Sequence, residues 1–298
     1  MFDNAVPVAV GRRAGGWIRR FSGMCTGVAL SWWLAGTGLA LMLAGAVQAG
    51  PITADALDAL PAADVVILGE VHDNPVHHIN QTRAVAAIAP KALVFEMLSP
   101  DQASRVTPLL RADRAALEAA LGWNDSGWPD FAMYHPIFLA APAAVVLGGA
   151  LPQQDVRRSM TDGAAAVFGD GAARYGLALP LEPAEQAARE ADQKTAHCNA
   201  LPDALLPGMV DAQRLRDAAL ARAAVQAFDV TGGPVVVITG SGHADRARGI
   251  PVALAEAAPD LRVLSVGQVE GEPGPDAPFD LWIATPPHPR PDPCAAFR

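Results

Sequence analysis

The chain is poor in charge, in cysteine and in tyrosine. Charged residues make up 18% of its 298 residues against 51% hydrophobic, and the mean hydropathy is +0.20. A disordered chain needs the opposite balance, so disorder is excluded. Basic residues number 22 against 31 acidic ones, a net charge of −9. The first 49 residues hold four of the arginines (Arg12, Arg13, Arg19 and Arg20) and Asp3, so the remainder carries 18 basic and 30 acidic residues, near −12. Such a surface repels phosphate backbones, and nucleic acid is not an expected partner. A Gly-x-Ser-x-Gly elbow, a P-loop and a dinucleotide fingerprint are all absent from the sequence, which leaves their reaction classes without support. Glycine (27) and proline (26) are frequent but follow no period, so collagen-like and low-complexity readings fail as well.

A single apolar run, Met24 to Ala46, reaches membrane-spanning length. Two arginine pairs precede it and Val47-Gln48-Ala49 ends it, which predicts a signal peptide over residues 1–49 with cleavage after Ala49. An uncleaved anchor at residues 24–46 is the alternative, and the one membrane contact expected. Either way the chain is read as periplasmic or otherwise exported. Cys25 lies at the start of the apolar run rather than after it, which argues against a lipid anchor. Cys198 and Cys294 remain beyond the signal, as a disulfide or as two free thiols.

Past the signal, short β-branched runs alternate with alanine-rich helical stretches. Strands are expected at Asp64–Leu68, Ala92–Glu96, Ala143–Leu147, Pro234–Thr239, Leu261–Val266 and Leu281–Ala284. The first, second and fourth are nearly continuous apolar runs, as strands covered on both faces require. A helix capped by Asp73 or Asn74, with Pro75 in its first turn and Pro90 closing it, joins the first two into a βαβ unit. A second helix is expected over Met209–Phe228. The predicted fold class is α/β, a mainly parallel sheet flanked by helices on both faces. Its domain spans residues 50–285, with a helical insertion at about 100–140, and an irregular proline-rich tail covers 286–298.

Three expected strands run directly into residues that bind metal or move protons. VVILGEVH carries Glu70 and His72, LVFEM ends on Glu96, and VVVITGSGH carries His243. A lone histidine or glutamate after a strand is more often a loop residue or a solvated edge. Three such endings at one edge of a parallel sheet, where ligands collect, favour a shared metal or acid–base cluster. His77 and His78 fall in the first turn of the next helix, read as an exposed pair or as pocket lining. Arg216, in AQRLRDAALA, is either a surface charge or the partner of Glu96 or Glu70. Trp123, Trp128, Phe131 and Tyr134 form an aromatic cluster: a local core, or a platform for a flat apolar ligand.

GEVHDNPVHH, LVFEM, WPDFAMYHPIF, AQRLRDAALA and ITGSGHADRARGIP together resemble the ChaN-like haem-binding proteins of the wider Tiki/TraB/erythromycin-esterase-like superfamily. The resemblance runs from about Asp64 to about Val266. It implies that Glu70, His72, Glu96, Arg216 and His243 match the superfamily's active-site set. It also implies haem bound through a tyrosine, with Tyr134 preferred over Tyr175 and His135, His77 and His78 beside it, in a homodimer with facing haems. The absence of a lipidation cysteine departs from the family's lipoprotein pattern.

Two functions follow as expectations. The first is an exported haem-binding protein in haem or iron acquisition, with Tyr134 at the rim of an apolar pocket near Trp128 and Phe131. The second is a hydrolase in which His72 and His243 hold a divalent metal ion. There Glu70 or Glu96 acts as ligand or general base, and Arg216 steadies a carboxylate or an oxyanion.

Overall fold

The apolar runs become the strands of one parallel sheet. The computed structural model describes residues 49–272, 274 and 277–295; the expected signal peptide, apart from Ala49, lies outside the described residues. The strands are β1 (Gly50–Pro51), β2 (Val65–Glu70), β3 (Ala92–Phe95), β4 (Val145–Gly148), β5 (Val235–Gly240), β6 (Val263–Glu270) and β7 (Leu281–Thr285). They pair in parallel in the order β1-β7-β6-β2-β5-β3-β4. The edge pair formed by β1 has no signature in the sequence, because two residues carry no periodicity. Strands β2, β3 and β5 are buried along their whole length, as their unbroken apolar runs require.

Helices cover both faces. The chain forms α1 (Pro75–Ile88), α2 (Pro100–Ser104), α3 (Pro108–Ala112), α4 (Arg114–Leu121), α5 (Phe131–Ala140), α6 (Gln153–Asp162) and α7 (Ala164–Phe168). It continues with α8 (Pro183–Ala196), α9 (Leu206–Thr231), α10 (Ser241–Ala244) and α11 (Ile250–Ala257). Asn74 caps α1 by accepting from Val76 N at 3.0 Å, and Ala89 ends the helix in the left-handed region just before Pro90. The stretch 101–121 resembles one helix in sequence and is three. Pro108 cannot continue a helix, and Ser99, Thr107 and Asp113 each cap a new start. Among the described residues, no helix is long and apolar enough to cross a membrane.

Alternation along the strands divides the core in two. Val66, Leu68, Leu93, Phe95, Val236 and Ile238 face Phe131, Tyr134, Ile137 and Phe138 of α5. Val65, Ile67, Val94, Val235 and Val237 face the alanine-rich side of α9 and Ile250, Ala253 and Leu254 of α11. The 100–140 segment is therefore no appendage beside the sheet but the cover of one of its faces. Each fully buried valine, leucine or phenylalanine contributes roughly 1.5–3 kcal/mol, so both faces are needed to hold the strand ends where the polar residues begin.

Candidate functional site

β5 lies between β2 and β3, so the three chemistry-bearing strand ends are neighbours at the carboxyl edge. Register decides where their side chains go. Leu68 pairs with Ile238 and Glu70 with Gly240, while Phe95 also pairs with Ile238. Parallel partners share a face, so Glu70 leaves on the α5 side and Glu96, one residue past Phe95, on the α9 side.

On the α5 side, Glu70 is fully enclosed. Tyr134 donates its hydroxyl to Glu70 Oε1 at 2.7 Å, and His72 Nδ1 meets the same oxygen at 2.7 Å. Glu70 Oε2 faces His78 Nδ1 at 3.4 Å, and neither atom has a hydrogen-bond partner. His78 Nε2 donates to the carbonyl of His72 at 2.8 Å. His72 remains about a third exposed, with Trp128 edge-on 4.8 Å from its ring. Burial disfavours the His72 cation, but the Glu70 hydrogen bond and the charge of Glu96 outweigh it and raise its pKa. Gly240 makes room for this ring: a Cβ there would sit 2.9 Å from His72 Nε2.

On the α9 side, Glu96 accepts from Thr239 Oγ1 and Gly240 N, each at 2.8 Å, and from Arg216 Nη2 at 2.9 Å. His243 lies between two carboxylates, with Nδ1 2.6 Å from Asp217 and Nε2 3.3 Å from Glu96. Burial opposes the His243 cation, yet Glu96 and Asp217 prevail and push its pKa up to about 10. Burial also raises Glu96, but His243, His72 and Arg216 together hold it well below the carboxylate range. Burial raises Asp217 against the pull of His243. A cleft of about 420 Å³ opens onto this network past Trp128, Leu151, Val156, Arg216 and Leu220.

The structure thus brings together Glu70, His72, Glu96, Arg216 and His243, and adds Asp217 and Gln213, whose amide is 3.0 Å from His243 Nδ1. Both additions were legible only as polar interruptions one turn apart in the apolar face of AQRLRDAALA. The divalent-metal expectation meets a different arrangement. Both nitrogens of His243 are engaged by carboxylates. Among the described residues, no group of three or more His, Cys, Asp or Glu side chains is placed to hold a metal ion.

The ligand expectations need correction. Tyr134 is not at a pocket rim but fully buried among Trp123, Phe131 and Ile137. Burial and the Glu70 charge push its pKa far up, away from phenolate. Tyr175, the other candidate, is buried against Phe168 at 5.4 Å. His77 and His78 are buried rather than an exposed pair, because the end of β7 reaches His77 and α5 covers His78. His77 accepts from Val71 N at 2.7 Å and contacts Thr285 Oγ1 at 2.7 Å, while His78 packs 4.3 Å from the Tyr134 ring. His135 donates Nε2–H to the carbonyl of Arg111 at 2.8 Å inside the insertion. Of these side chains, His78 lines a cleft of about 280 Å³ between α1 and α5, with Ile79, Thr82, Ala132 and Met133. Trp123 and Phe131 are local core, whereas Trp128 alone of the aromatic cluster reaches the cleft. Cys198 and Cys294 form a disulfide with a Cα–Cα separation of 5.4 Å.

The family described as "Haem-binding uptake, Tiki superfamily, ChaN" matches residues 56–254, two thirds of the chain. The fold is similar to that of a Campylobacter jejuni protein described as "Cofacial heme binding to ChaN". The TM-score is 0.57 at 20% identity, covering 76% of this chain and 88% of that one. Weaker likeness extends to the type III effector HopBA1, with a TM-score of 0.40 at 14% identity over 76% of this chain and 88% of that one. A Bacillus cereus protein gives a TM-score of 0.34 at 12% identity over 74% and 70%. No curated protein matches the sequence.

Proposed function

Because the chain belongs to the ChaN family of haem-binding uptake proteins in the Tiki superfamily, we propose that it is an exported haem-binding protein acting in haem or iron acquisition. The family match over residues 56–254 carries the reading. Export is supported by the arginine-flanked apolar run ending in Val47-Gln48-Ala49. It is supported too by the Cys198–Cys294 disulfide, a bond that persists in oxidising compartments. A homodimer with facing haems is part of the proposal, since the Campylobacter relative binds haem cofacially.

Haemin titrated into the purified protein should develop a saturable Soret band and raise the apparent mass in solution to that of a dimer. Binding no tighter than to an unrelated apolar protein would overturn the haem reading. For export, N-terminal sequencing of protein from its native host should begin at Gly50. A sequence beginning at Met1 or Met24 would favour the anchor at residues 24–46.

A further inference from the structure

Arg216 gives only part of its guanidinium to the charged network. Nη2 donates to Glu96 at 2.9 Å, the side chain is 38% exposed, and among the described residues nothing else accepts from it. A guanidinium is a planar fork of N–H donors that can serve carboxylates along more than one edge. Glu96 does not depend on Arg216 alone. It also accepts from Thr239 and Gly240 and faces His243 Nε2 at 3.3 Å. The outer edge of the guanidinium is thus left for a second anion.

That edge opens onto apolar walls. The cleft of about 420 Å³ that Arg216 lines is bounded by Trp128, Leu151, Val156 and Leu220, and Glu96 and Arg216 are the charged residues among its lining. Arg216 and Leu220 lie one turn apart on α9, Val156 faces them from α6, and half-buried Trp128 precedes α5. A second cleft, of about 360 Å³, is of another kind: Arg189, Asp192, Asp217, Asp245 and Arg248 line it. Its arginines are already paired, both of them with Glu185 and Arg248 with Asp192 as well. Only the Arg216 cleft joins an unspent cation to apolar surface.

We propose that Arg216 binds a propionate of haem, with the edge of the macrocycle that carries it seated against Trp128, Leu151 and Val156. The proposal rests on the haem-binding reading. Haem joins a flat apolar body to carboxylates along one edge, which is the combination this cleft accommodates. In a chain of net charge −9, most of the surface repels a carboxylate. A local cation flanked by apolar residues therefore selects which edge enters.

The test is titration of the oxidised full-length protein with haemin and with haemin dimethyl ester, whose propionates are capped, read from the Soret band. Wild type should bind haemin about tenfold or more tightly than the ester, as one charge-assisted hydrogen-bonded pair implies. Arg216→Gln, which can still donate to Glu96, should lower haemin affinity by the same factor and leave ester affinity unchanged. Arg216→Lys should recover part of the loss. Val156→Asp places a like charge on the wall without touching the network, and should weaken haemin more than the ester. If wild type binds haemin and ester equally, or Arg216→Gln weakens both alike, the propionate assignment falls while the haem reading stands. If Arg216→Gln loses its fold by circular dichroism, Val156→Asp decides, and unchanged haemin affinity there overturns the assignment. If wild type binds neither compound, the haem reading falls with it.

Discussion

Glu70 and Glu96 end strands separated by β5 alone and leave the sheet on opposite faces, the first accepting from Tyr134 and the second from Arg216. The two carboxylates therefore do not share one cage. Each is contacted from a different helix, α5 for Glu70 and α9 for Glu96, and His72, raised by both, is the group between them.

His243 is a buried cation between two carboxylates, and removing one of them leaves it under-compensated. Asp217→Ala is expected to destabilise the fold by about 3–5 kcal/mol at pH 7, measured by urea unfolding. A loss within 0.5 kcal/mol of zero would mean that the imidazole is neutral in the folded protein.

The same group sets the alkaline limb of stability. Its folded pKa of about 10 stands above the ordinary 6.5. Its contribution is thus complete below pH 6.5 and disappears as pH rises through 10. His77 works in the other direction: burial lowers it to about 4, so its contribution is complete above 6.5 and disappears as pH falls through 4. Unfolding free energy should peak near pH 6.5 and fall on either side, and His243→Asn should flatten the alkaline fall. An unchanged alkaline limb in that variant would assign the limb to other groups.

Tyr134→Phe removes one donor from a buried carboxylate and leaves the ring packing intact. It should cost about 1–3 kcal/mol of stability, read from urea midpoints. A neutral result would show that water or His72 replaces the hydroxyl.

Two glycines separate a side-chain clash from a backbone clash. At Gly240 an added methyl meets the ring of His72 at 2.9 Å, which can swing away. At Gly148 it meets two backbone carbonyl oxygens, of Leu98 and Ser99. Gly240→Ala should fold and shift the His72 proton and carbon resonances, whereas Gly148→Ala should fail to accumulate as folded protein. Equal yields of the two would contradict this packing.

The disulfide spans 96 residues of sequence. A closed loop of about 100 residues contributes roughly 4.7 kcal/mol through the unfolded state. Replacing Cys198 and Cys294 by serine together should lower the thermal midpoint and leave the sheet's circular dichroism unchanged. An unchanged midpoint would show that the thiols do not pair in solution.

The central strands were readable because burial on both faces leaves unbroken apolar runs, and the residues just past them were readable for the same reason. Glu70, His72, Glu96 and His243 each follow such a run within five residues. Asp217 and Gln213 were not singled out as site residues, because a helix residue announces its face only through neighbours in space. The burial of His77 depends on Thr285, more than 200 residues away. Tyr134 was misplaced for a related reason: WPDFAMYHP shows an aromatic cluster but not that a sheet lies beneath it.

β2 and β5, paired to each other and flanked by β6 and β3, have no residue open to solvent. Their amide hydrogens can reach deuterium only when the whole sheet opens, so their exchange reports the global unfolding free energy. Gly240 N, held by Glu96 across the strand end, belongs to that slowest class. Arg216 and His72 touch solvent from the same network. Its anchoring atoms and its exposed tips are thus separated in time, the first moving with the domain and the second with their own rotamers.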